Sequence, residues 1–188
     1  NPGMRISQEN GTNSATTSGY YPVDQWFVAL SQDGTLTTQQ VSSATPGGSE
    51  NRIRMTVTSA DTSIAAGQYA LFMQYIEGLR TADLQWGTSN ATDVVVRFGF
   101  KGPAGTYAVA IVNQDSNRSF VREFTISGGD ANTDTLQTVT FPGDTTGTWD
   151  KDNTSSFVLI FTFAVGSTYQ TTADAWQSGN YLGTSSTS

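Results

Sequence analysis

The chain has no cysteine and no histidine. Without cysteine there is no disulfide and no thiolate metal site, which fits a protein made in a reducing cytoplasm. Without histidine there is no Ser-His-Asp or Cys-His catalysis, no imidazole metal site and no pH switch centred near neutrality. Charge is scarce as well. Only 13% of the 188 residues are charged, and 16 acidic side chains against nine basic ones leave a net charge of −7. Nine scattered cations form no stripe for neutralising phosphates, so nucleic acid is excluded as a partner. Arg52 and Arg54, on one face of one strand, are the nearest approach to a cluster. No apolar run reaches the roughly 20 residues that span a bilayer as a helix, and membrane insertion is not expected. The start, Asn1-Pro2-Gly3, lacks a signal pattern and reads as a processed product or a segment of a longer chain.

What is present in abundance is Ser, Thr, Asn, Gln and Gly between short apolar stretches with a two-residue period. Ile53, Met55 and Val57 alternate with Arg54, Thr56 and Thr58. Val94, Val96, Phe98 and Phe100 share one face, as do Phe157, Leu159, Phe161 and Phe163. Alternation of this kind is the signature of strands with one buried face. Turn dipeptides and polar loops punctuate them: Asp33-Gly34, Thr45 to Ser49, and Asn113 to Asn117. Nine or ten strands separated by such signals predict an all-β antiparallel β-sandwich or jelly roll with little helix, as a single domain over residues 1–188. Met4–Ser7 is expected as a short edge strand and 9–19 as a polar loop. Thr62–Ala66 and Thr171–Gln177 are the best short helical candidates. Gln68–Glu77, almost continuously apolar, predicts a strand buried on both faces or a short helix. Residues 183–188 have the composition of a flexible tail.

Candidate functional residues follow from rings placed where packing does not demand them. Trp149, Tyr169, Trp176 and Tyr181 lie in polar segments, and Asp144, Asp150, Asp152 and Asn153 surround the first. Rings beside Asp and Asn suit a saccharide, which stacks on the ring and hydrogen-bonds through vicinal hydroxyls. The carbohydrate-binding candidates are therefore Trp149, Asp150, Tyr169, Trp176 and Tyr181, with packing against neighbouring subunits as the other reading. Trp26 shares its alternation with Val28 and Leu30 and is expected in the core, Trp86 in the core or at its rim. No cofactor is expected. The Asp144 to Asn153 loop has oxygen ligands but not the ordered spacing or distal Glu of a calcium loop. Glu77 and Glu123 are the two strand-borne Glu residues that a glycosidase pair would need, and ion pairs with Arg80 and Arg122 are their expected role. No catalytic pair is recognised, so an enzyme is not expected.

Four ordered segments carry a family resemblance: Asn1-Pro2-Gly3-Met4-Arg5-Ile6-Ser7-Gln8-Glu9-Asn10-Gly11, Tyr21-Pro22-Val23-Asp24-Gln25-Trp26, Ile76-Glu77-Gly78-Leu79-Arg80, and Pro142-Gly143-Asp144-Thr145-Thr146-Gly147-Thr148-Trp149. Together they resemble a family of bacteriophage virion proteins, tail-fibre and head-fibre components with carbohydrate-binding-module-like jelly rolls. The resemblance implies a non-enzymatic structural protein of the virion. Its implied partners are other virion proteins and copies of itself, a trimer by preference, and its implied task is adhesion to a host-surface glycan. A carbohydrate-binding module is the alternative, and a glycan-degrading enzyme a second. The family's final strand, of the type Gly-Val-Gln-Leu-Glu, is absent from this sequence.

Overall fold

The structure is a computed structural model that describes residues 1–16 and 18–187. Thr17 of the expected polar loop and Ser188 of the expected tail lie outside the described residues. Eleven strands are present among the described residues, with only short 3-10 turns beside them. They are β1 (Tyr20–Val23), β2 (Trp26–Ser31), β3 (Thr35–Ser42), β4 (Asn51–Ser59), β5 (Tyr69–Glu77), β6 (Val94–Phe100), β7 (Gly105–Asn113), β8 (Arg118–Ile126), β9 (Thr135–Phe141), β10 (Ser155–Val165) and β11 (Trp176–Ser178). One layer is a seven-stranded antiparallel sheet in the order β1-β2-β5-β10-β7-β8-β11. The facing layer is two separate ladders, β3-β4 and β6-β9. This is the antiparallel β-sandwich that the two-residue periods predict.

Register fixes which rings meet. Phe157, Leu159 and Phe161 of β10 pair with Asn113, Ile111 and Val109 of β7 and with Ile76, Gln74 and Phe72 of β5. These side chains share the inner face, where Val109, Ile111, Phe120 and Phe141 are fully enclosed. Each such side chain contributes about 1.5–3 kcal/mol on burial. Trp26 joins them as expected, stacked on Phe72 at 4.9 Å. Its indole N–H has no acceptor among the described residues, an omission that costs about 1–3 kcal/mol.

The sheet's outer face carries a second apolar cluster, which the one-sided alternation of most strands does not announce. Leu71, Ala108, Ala110, Val121 and Ile160 are buried there. The segment after β10 covers them. It turns at Ser167–Tyr169, pairs β11 with β8, then returns over β7, β8 and β10. Thr162 donates to the Leu182 carbonyl at 2.6 Å, and the Leu182 amide donates to the Tyr169 carbonyl at 2.9 Å. The expected flexible tail is therefore a strap: Leu182, Gly183, Thr184 and Thr187 are buried. Its small polar residues keep it low enough to fit the sheet. Gly183 shows this, since a Cβ there would sit 2.8 Å from Val165.

Four further expectations are corrected. Met4–Ser7 is not a strand; it is held by side-chain bonds and by a backbone bond from the Asp24 amide to the Ile6 carbonyl, and not by a ladder. Thr62–Ala66 forms bends and a turn, and the end of Thr171–Gln177 is β11. Both were too short to pay for helix nucleation without a packed stripe. Gln68–Glu77 is strand from Tyr69, but its outer face is not closed at Tyr75, which is 51% exposed.

Candidate functional site

The four expected rings separate by face. Trp149 and Trp176 belong to a core cluster at one end of the sandwich. Trp149 meets Trp86 at 4.7 Å and Trp176 at 5.3 Å, all edge to face, and Phe157 stacks on Trp86 at 5.3 Å. The indole of Trp86 donates to the Thr92 carbonyl, that of Trp149 to Asp144 and the Thr146 carbonyl, and that of Trp176 to the Pro142 carbonyl. Trp149 is buried, so the ring expected as a sugar platform has no free face. Loop composition misled here because the loop folds back over the sandwich end. Asp150 is half-buried, and its backbone carbonyl lies against Gly78, 2.5 Å from where a Cβ would be.

The acidic loop is spent on internal bonds. Asp144 is buried and receives both arms of Arg118, Nε at 2.8 Å and Nη2 at 2.7 Å. The same carboxylate accepts the Thr146 amide and the Trp149 indole. Its hydrogen bond holds the Arg118 guanidinium further above its ordinary pKa, against the opposing effect of burial. Asp152 accepts the Thr154 amide and hydroxyl, which pull its carboxyl below the usual range. Both oxygens of Asp144 are engaged by Arg118, and Oδ1 of Asp152 closes a turn with Thr154.

All four resemblance segments turn out to be fastenings. Asn1 donates to the carbonyls of Ile6 and Asp24, Ser7 to that of Pro22, and the amides of Gln8 and Tyr21 donate to Asp24 and Glu9. The first segment thereby locks onto the second. It also blocks the edge of β1, where Pro22 has no N–H and Glu9 takes the Tyr21 N–H. The third and fourth are each tied to a neighbouring loop: the Gly78 and Leu79 amides donate to the Thr154 and Asp152 carbonyls, and the Asp144 carbonyl accepts the Gly87 amide.

Tyr169 and Tyr181 lie on the outer face of the seven-stranded sheet, half-buried at the strap, with Tyr169 edge-on to Tyr69 at 5.7 Å. Beside the strap the face is open. Tyr21 (38% exposed), half-buried Phe27 and Met73, Tyr75 and half-buried Val158 occupy it. Phe27 pairs with Met73, Tyr75 pairs with Val158, and Tyr21 meets Phe27 edge-on at 5.2 Å. Strand spacing and residue rise put Tyr21 and Tyr75 roughly 12 Å apart on a diagonal across β1, β2 and β5. Sequence reasoning missed these rings because each sits within an apolar run. The available signal was the run itself, in which β1, β2, β5, β10 and β7 carry a single charged residue, Glu77.

Glu77 and Glu123 are both on this outer face but far apart. Three strand spacings and six residues of rise separate them, roughly 25 Å, against the ~5–10 Å that a glycosidase pair spans. Glu77 pairs with Arg80 at 3.5 Å as expected. Glu123 does not pair with Arg122; it accepts the Thr184 hydroxyl, while Arg122 reaches Asp174 at 2.6 Å.

No protein-family model and no curated protein matches the sequence. Among solved structures, the chain is similar to a family 11 carbohydrate-binding module from Clostridium thermocellum in complex with a beta-1,3-1,4-mixed-linked tetrasaccharide. The identity is 16%, the coverage 90% of this chain and 91% of that one, and the TM-score 0.43. It is also similar to the family 11 module of the cellulosomal cellulase Lic26A-Cel5E from the same organism, at 13% identity, 84% and 96% coverage and a TM-score of 0.39.

Proposed function

We propose that this chain is a non-catalytic glycan-binding β-sandwich that works in adhesion, and that the open outer face of the seven-stranded sheet holds a neutral saccharide. The carrying observation is the diagonal of Tyr21, Phe27 and Tyr75 on a face almost without charge. Exposed rings on a flat apolar patch are a contact surface. A patch without cations has nothing to offer an anionic polymer, and a net charge of −7 repels one. A neutral sugar satisfies both conditions: its C–H face stacks on the rings and its hydroxyls meet the hydroxyl-rich surroundings. Glu77 and Glu123, at their separation, do not form a hydrolytic pair.

The test is a glycan array of neutral and anionic polysaccharides with the wild type and the Tyr75→Ala and Tyr21→Ala variants. Neutral glycans should bind, and each substitution should weaken binding about tenfold. Absence of any neutral ligand overturns the function, and unchanged binding by the double variant overturns the site. Trp176→Ala is the wrong probe, since it removes a core ring.

The finer assignment, a fibre, spike or decoration component of a phage particle, is supported by the resemblance of the four segments. Those segments fasten the scaffold, so they speak for a shared body more than a shared ligand. Finding the chain in purified particles tests it.

A further inference from the structure

The second layer of the sandwich is interrupted. β4 pairs with β3 alone and β6 with β9 alone among the described residues, so each has an edge without a strand partner. The start of β4 is held near the end of the β6-β9 ladder. Thr45 and Pro46 pack on Gly99, and Arg52 bridges to Asp134 at 2.6 Å. Further along β4, Val57 lies on the inward row with Ile53 and Met55, yet is 65% exposed.

The central strands beneath record the same interruption. In a closed sandwich the inner row of a middle strand is its most enclosed part. In the second half of β10 the order is reversed: Phe161 and Phe163 on the inner face are half-buried, while Ile160 and Thr162 on the outer face are buried. The strap closes the outer side, and nothing among the described residues closes the inner side equally.

Charge specifies what fits. The four strands of this layer contain no Asp or Glu, in a chain with 16 acidic residues. They contain Arg52 and Arg54 on β4 and Arg97 on β6, all on the outward rows. Arg54 and Arg97 are exposed and make no ion pair among the described residues.

We infer that the edges of β4 and β6 accept an added β-strand from a partner polypeptide, with apolar side chains at every second position and acidic ones between. The added strand satisfies the free backbone groups, covers Val57 and Phe161 with its apolar row, and sets its carboxylates beside Arg54 and Arg97. This is strand addition, in which main-chain bonds supply affinity and alternate side chains supply selection. The site is on the opposite layer from the tyrosine diagonal and stands independently of the glycan proposal.

The test uses fluorescent peptides nine residues long, the length of β4, with Val alternating with Glu, Val alternating with Lys, and the Val/Glu composition scrambled. Anisotropy measures binding to the intact chain, and amide hydrogen exchange locates it. The Val/Glu peptide should bind about tenfold more tightly than the Val/Lys peptide at low salt and slow exchange along β4 or β6. The Arg54→Glu/Arg97→Glu double variant should reverse the preference. Failure of the Val/Glu peptide to bind, binding without protection of β4 or β6, indifference to the double variant, or protection of β4 by a second copy of this chain each overturns the inference.

Discussion

Asp144→Ala is the sharpest probe of how this sandwich is held at its tryptophan end. Asp144 is 1% exposed and Arg118 17%, with the two joined through both arms of the guanidinium. The substitution removes the acceptor shared by the Arg118 guanidinium, the Thr146 amide and hydroxyl and the Trp149 indole. Breaking a buried pair from one side costs about 3–5 kcal/mol, because the remaining charge keeps its desolvation penalty. The Trp149 indole retains the Thr146 carbonyl, and Arg118 retains a path to water, so the lower half of that range is expected. For a chain of this length, about 3 kcal/mol lowers Tm by roughly 6–12 °C. Calorimetry reads the shift, and tryptophan fluorescence should show Trp149 becoming solvated. Removing both partners with Arg118→Met/Asp144→Leu should recover much of the loss, since no orphan charge remains. A Tm change below about 2 °C for Asp144→Ala would refute the lock.

Two other outcomes follow from the geometry. Gly166→Ala should destabilise by more than about 3 kcal/mol in urea unfolding, because its Cβ would lie 2.0 Å from the Ala65 carbonyl oxygen, which is backbone and cannot swing aside. The Arg52 hydrogen bond holds the Asp134 carboxyl below its usual range. That small contribution is therefore present above the unfolded-state carboxyl pKa and lost as pH falls through the lower folded value. The Tm difference between wild type and Asp134→Asn should be below about 1 kcal/mol equivalent at pH 7 and vanish in strong acid, as a pH series of melts would show.

The strands were legible because each one-sided row states its own period: Ile53-Met55-Val57, Val94 to Phe100, Phe157 to Phe163. The strap was not. Residues 183–187 are small and polar, and the burial of Gly183, Thr184 and Thr187 depends on a sheet whose outer face is apolar. Phe157 to Val165 shows this only as branched aliphatics between the phenylalanines, which a reading of period two passes over. The tryptophans failed for the opposite reason. Trp149 and Trp176 sit in sequences that read as loop, and only the fold brings Arg118, Pro142 and Trp86 to them. Tyr21 and Tyr75 were hidden by their neighbours, since an apolar run does not reveal which of its faces remains open.

The division between indoles and phenols has a physical basis that bears on adhesion. An indole is the larger ring, and its N–H donates along a single direction, so enclosing it without a cost like that of Trp26 takes one fixed acceptor. The sandwich end provides three, from Thr92, Thr146 and Pro142, two of them in the segment that fastens the body together. A phenol leaves its hydroxyl in water while its ring lies on a sheet, and a face of neutral strands tolerates such rings without drawing in counter-charges. On the proposed reading, recognition falls to tyrosines on flat strands, where contact area can change by one substitution. Trp86, Trp149 and Trp176, each tied to a backbone carbonyl, cannot be exchanged without loosening the end they close.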